Sequence, residues 1–158
     1  MAVDFFLKLD TIEGESADEK HSKEIQILSW SIGGSQVTSV AGTGGSGAGK
    51  VDLSDLSIMK YYDKASPKLW KALISGTHLP KGSLTAVKAG ADGKPFLKID
   101  FEELYITSIQ QSASSEIPSE SVSFSYNKIK VDYSTQDEKG ILTSTGAVTY
   151  ELKMNKVS

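Results

Sequence analysis

GTGGSGAGKVDLSDLSIMKYYDKASPKLWKALISG, residues 42–76, joins a glycine-rich loop (Gly42 to Gly49), a strand-like run (Lys50 to Tyr62) and one short helical segment (Ser66 to Gly76). The helical reading rests on signals that agree. Ser66 is placed to cap the first turn through its hydroxyl, Pro67 stands at the first helical position, and Gly76 suits the left-handed residue that ends a helix. Leu69 with Leu73 and Trp70 with Ile74 form apolar pairs four residues apart, so this face is expected to be buried against sheets or against another subunit. Nearly everything else in the chain reads as β-strand.

Composition narrows the possibilities. At 158 residues the chain is expected to form one domain over 1–158, with no apolar run approaching the roughly 20 residues of a membrane span. Met1 to Asp10 lacks a basic start, and its apolar run is broken by Asp4 and Lys8, so it does not read as a signal peptide. Cysteine is absent, which excludes disulfides and thiolate metal sites. All 17 basic residues are lysine and the net charge is −3, so neither nucleic acid nor a membrane surface is an expected partner.

Outward from the glycine loop, Val3, Phe5, Leu7 and Leu9 alternate with polar residues as a half-buried first strand. Phe6 falls on its outer face, an extra aromatic that suggests a partner surface. Residues 12–21 form a charged loop in which His21, near Glu15, Asp18 and Glu24, reads as solvated rather than metal-binding. Glu24 to Ile32 reads as one strand that begins apolar at Ile25 and Ile27 and ends small and polar at Ser29 and Ser31. Gly33 to Gly49 is too rich in glycine for a regular element.

Leu84 to Lys88 and Phe96 to Ile109 form an expected hairpin around an Asp92-Gly93 turn, with Leu97, Ile99, Phe101 and Tyr105 on the buried face. Gln110 to Ser121 reads as a polar connection. The apolar parity then switches between Val122, Phe124, Tyr126 and Ile129, Val131, Tyr133, which calls for a bulge near Asn127 or a strand crossing between sheets. Val148, Tyr150, Leu152 and Met154 mark a last strand. Six to eight strands in series with one helix indicate an antiparallel two-sheet barrel or sandwich.

Two nucleotide motifs lie in the glycine loop. Gly42 to Gly47 satisfies G-x-G-x-x-G, and Gly44 to Lys50 matches the start of a P-loop. Both need a helix at the last glycine, the P-loop also needs a hydroxyl residue where Val51 stands, and Val51 to Tyr62 has strand character. No cofactor, metal site or catalytic set is expected. A monomeric β-sandwich binding module is the alternative from another class, with a nucleotide-binding enzyme behind it.

The run Gly14-Glu15-Ser16-x-Asp18-x-x-His21-x-x-Glu24-Ile25-x-x-Leu28-Ser29-Trp30-Ser31-x-Gly33 resembles the haemolysin-coregulated protein (Hcp) family of bacterial type VI secretion. The resemblance continues at Gly49-Lys50-Val51, Tyr61-x-Asp63-Lys64-Ala65-Ser66-Pro67, Ser75-Gly76-x-His78, Val87-Lys88-Ala89-Gly90, Thr107-Ser108-Ile109 and Val131-x-Tyr133. Residues 110–121 lack the glycines expected from the family, and the C-terminal strand lacks its common tryptophan. The resemblance implies a β-barrel with a flanking helix, assembled as a hexameric ring whose copies stack into a secreted tube. The implied partners are further copies of the chain, a spike protein, a contractile sheath and effectors in the lumen, with release from the cytoplasm without a signal peptide. On this reading Ser29 and Ser31 face the lumen, Phe6 and Trp70 lie at the ring interface, and Gly42, Gly44, Gly45, Gly47, Gly49 and Lys50 reach the adjacent ring.

Overall fold

The computed structural model describes residues 2–36, 51–88 and 92–158. Among them the order is β1 (Val3–Leu9), β2 (Ile25–Ile27), β3 (Ser29–Ser31), β4 (Gly34–Ser35), β5 (Asp52–Leu53), β6 (Leu56–Tyr61), α1 (Ser66–Ser75), β7 (Leu79–Lys88), β8 (Pro95–Ser112), β9 (Ser119–Ser125), β10 (Lys128–Gln136), β11 (Leu142–Glu151) and β12 (Lys156–Val157). Every described pairing is antiparallel. The mainly β, two-sheet architecture with one short flanking helix is therefore as expected. The strands outnumber the expected six to eight because several runs break into short pieces.

Sheet A runs β12-β11-β10-β8-β7-β1-β2, and sheet B runs β3-β6-β9-β8. Two places close these sheets around a core. The expected strand from Glu24 to Ile32 divides at Leu28, so that β2 ends sheet A while β3 begins the edge of sheet B. The long β8 serves both sheets. Glu103 takes a φ of 53°, which swaps the inward parity from Ile99 and Phe101 to Leu104 and Ile106. Tyr105, expected inside, is turned outward for that reason. The parity switch after Tyr126 is the crossing that the pattern called for, with β9 in sheet B and β10 in sheet A. There Tyr126 donates its hydroxyl to the Ser54 carbonyl at 2.9 Å. Burial, helped by the Asp55 charge, pushes that hydroxyl up to about 12, so it remains a donor.

The core between the sheets holds Leu7, Ile25, Leu56, Ile58, Leu84, Ile99, Phe101, Val122 and Phe124, with Leu69 and Ala72 of α1 packed against it. Trp30 meets Phe5 edge-on at 6.3 Å and so ties the two sheets together. Trp70 and Leu73 are half-buried against this core, but Ile74 is 80% exposed, so the buried stripe of α1 is narrower than the apolar pairs implied. The helix begins at Ser66 with Ala65 as its cap residue and no side-chain cap, and Gly76 ends it with a φ of 62°. Ser66 is thus inside the helix, its hydroxyl committed elsewhere.

Several other expectations are corrected. Gly34 and Ser35 are a short strand paired with Asp52 and Leu53. β8 and β9 shorten the polar connection to residues 113–118. The last strand ends at Glu151, and Leu152 to Asn155 form a turn before β12, leaving Met154 exposed. Phe6 is only 2% exposed, because the loop of residues 10–24 folds over it. The nucleotide motifs and the stacking residues Gly42, Gly44, Gly45, Gly47, Gly49 and Lys50 lie outside the described residues. The next described element in the chain after them is the strand β5.

Candidate functional site

Strand periodicity sends alternate side chains to opposite faces, so each inward apolar residue of sheet B implies an outward neighbour. Beside the core residues Leu56, Ile58, Val122 and Phe124 stand Ser57, Met59, Ser121 and Ser123. Register assembles them. One row across the four strands is Ser31, Ser57, Ser123 and Ser108, and the next is Ser29, Met59, Ser121 and Gln110. A third row adds Tyr61, Ser119 and Ser112. Ser57 and Ser123 share a hydrogen bond at 3.0 Å. No side chain in these rows carries charge.

The outer face of sheet A is chemically different. There Lys81, Glu102 and Lys128 pair across β7, β8 and β10, followed by Ser83, Asp100 and Lys130, with Lys128 and Glu102 at 3.1 Å. One wall of the protein is charged and the other is a neutral hydroxyl surface. Ser29 and Ser31, singled out by sequence, sit exposed on the edge strand of the neutral wall. The serines of β6, β8 and β9 beside them were missed. The alternation Ser121-Val122-Ser123-Phe124-Ser125 was the available signal.

Beneath this wall lies a buried ionic group that the sequence reading also missed. Lys60 and Glu120 occupy inward positions in the same parity as Ile58 and Val122, and both are fully enclosed. The Lys60 ammonium bonds Glu120 Oε1, donates to Ser66 Oγ at 3.0 Å, and lies 2.9 Å from Asp63 Oδ1. Glu120 also accepts from Ser66 Oγ, and from Gln111 Nε2 at 2.7 Å. This explains why Ser66 does not cap the helix. Burial raises the Glu120 carboxyl, but the bonds from Lys60, Ser66 and Gln111, with the Lys60 charge, outweigh it and hold the group below the usual glutamate value. The group joins β6, the start of α1, β8 and β9 with no unpaired charge.

The loop containing Gly14, Ser16, Asp18, His21 and Glu24 is structural. His21 is buried, not solvated: it stacks on Phe6 at 4.5 Å, with Nδ1 2.8 Å from Glu24 Oε2 and Nε2 2.8 Å from the Gly93 carbonyl. Asp18 Oδ1 accepts from the Lys20 and His21 amides at 2.9 and 3.2 Å. Phe6 is therefore spent inside the protomer and has no surface for a neighbour.

A family model described as type VI secretion system effector, Hcp, matches residues 6–133. Protein hcp1 of Pseudomonas aeruginosa is 41% identical over 143 residues, 89% of this chain and 88% of that protein. A solved type six secretion system protein superposes with a TM-score of 0.92 at 31% identity, over 99% of this chain and 100% of that one. Hcp1 from Salmonella typhimurium gives a TM-score of 0.80 at 35% identity, over all of both chains. With the matched span, the identity and the fold in agreement, the chain belongs to the Hcp family of type VI secretion proteins.

Proposed function

We infer that the chain, acting as one unit, is a structural subunit of the type VI secretion tube, and that the serine wall of sheet B lines its lumen. The single observation behind this assignment is the uncharged face built by β3, β6, β8 and β9, set against the charged exterior of sheet A. Hydroxyls offer many weak hydrogen bonds and no fixed charge, so varied protein cargo is held without strong adhesion. Ser29 and Ser31 belong to this wall. The rings are hexamers that stack into a tube, with a spike protein at the tip, a contractile sheath outside and effectors inside. Release through that apparatus needs no signal peptide, and no helix among the described residues is long and apolar enough to cross a membrane.

Trp70, half-buried beside the exposed Ile74, contributes to the contact between copies, and the segment from Gly42 to Lys50 contributes to ring stacking. The role is mechanical rather than catalytic. Light scattering after size exclusion is expected to give the mass of a hexamer. Ser31→Trp is expected to keep that mass while lowering effector co-purification several-fold, since an exposed edge position tolerates bulk but the lumen loses room. Unchanged co-purification in an intact ring would reject the lumen assignment.

A further inference from the structure

Sheet A continues past the core that covers it. One cross-strand row on its core side runs Leu7, Leu84, Ile99, Val131 and Val148. Exposure along that row rises from 0, 2 and 3% to 38 and 59%. The adjacent row does the same, from buried Ala86 through half-buried Leu97 to Tyr133 at 44%. The reason is topological. Beyond β8 the sheet splits, with β9 turning into sheet B while β10 and β11 extend outward; the row Phe101, Ile129 and Tyr150 stays covered, and the rows beyond it open. The residue types nonetheless remain β-branched and aromatic, as in a core.

A second apolar patch lies at the opposite edge of sheet A. Leu28, Tyr62 and Ile117 are exposed around a cleft of about 430 Å³ that also reaches Gln26 and Ile27 of β2 and Tyr61 at the rim of the serine wall, with Glu15, Ser16 and Asp63 at its polar margin. Two unlike apolar faces on opposite edges of one molecule are what a head-to-tail ring requires, whereas an unrelated partner needs only one. We propose that Val131, Tyr133 and Val148 of one copy seat on Leu28, Tyr62 and Ile117 of the next. This contact rests on the ring reading above and specifies its surfaces.

The test is Val131→Glu combined with Val148→Glu, compared with the unaltered protein by light scattering. Both positions are open in the protomer, so circular dichroism and the unfolding midpoint are expected to stay near their original values while the mass falls from hexamer to protomer. A hexamer in both proteins overturns the contact and leaves the ring reading standing. An unaltered protein that runs as a protomer overturns both. The pairing has its own check, because the chain lacks cysteine. Val148→Cys with Ile117→Cys, treated with a flexible bis-maleimide, is expected to give a ladder up to the hexamer, and each single variant no ladder. Absence of the ladder in the double variant overturns the assigned cleft.

Discussion

Lys60→Met is expected to lower folding stability by about 3–5 kcal/mol, because it leaves the enclosed Glu120 carboxylate without its cation. Against the total of about 5–15 kcal/mol typical of a domain, that is a large share. Urea unfolding followed through Trp30 and Trp70 measures it. The second substitution Glu120→Leu, added to Lys60→Met, is expected to recover most of the loss, since an apolar pair has no charge to leave stranded. A single variant within about 0.5 kcal/mol of the original protein would mean the pair contributes nothing.

Acid gives the same argument a sign. The Glu120 carboxyl is held below its ordinary value of 4.5 in the folded protein, so its contribution is complete above that value. It is lost as pH falls through the depressed folded value. In Lys60→Met the strongest lowering bond is gone and burial favours the protonated acid, so acidification relieves the variant while it weakens the original. The stability gap between them is expected to narrow as pH falls, first above 4.5 as the variant's stranded acid takes up its proton, and further below 4.5 as the original protein loses its contribution. A constant gap would show that Lys60 acts through packing rather than charge.

Gly14→Ala is expected to cost about 1–3 kcal/mol through a backbone collision. A β-carbon there would lie 2.5 Å from the Glu24 carbonyl oxygen and 2.6 Å from the Ile25 Cα. Neither atom can swing aside as a side chain would. The segment is also pinned, with the Gly14 amide donating to the Lys23 carbonyl at 2.8 Å and the Ser16 amide to Glu24 at 3.0 Å. Separating it from β2 uncovers Phe6 and His21. Gly33→Ala is the control, since its nearest neighbour would be Ser54 Oγ at 3.7 Å, and it is expected to stay within about 0.5 kcal/mol. Equal effects at the two glycines would contradict the close-approach account.

Short-range pattern made much of this fold readable. The alternation in β1, the proline and glycine that bound α1, and the parity switch around Tyr126 each depend on residues a few positions apart. The Gly14-to-Gly33 run, on which the family resemblance was read, holds the close backbone approach at Gly14 and the buried His21. Ser29 and Ser31 stood out as the small polar end of one strand over Glu24 to Ile32, a run that the structure divides at Leu28 between the two sheets.

The errors of sequence reasoning lie at long range. Phe6 looks exposed by parity and is covered by a loop, while His21 looks solvated and is held by the distant Gly93 carbonyl. Lys60 and Glu120 are ordinary surface residues by composition and become a buried pair because β6 and β9 align them across 60 residues. The serine wall is legible strand by strand, but its rows exist only through register. Sequence by itself determined which side of each strand is apolar, since that is a local periodicity. Tertiary structure alone decided what covers each side, because register and the split of the sheet at β8 set which faces are closed by this chain and which are left open.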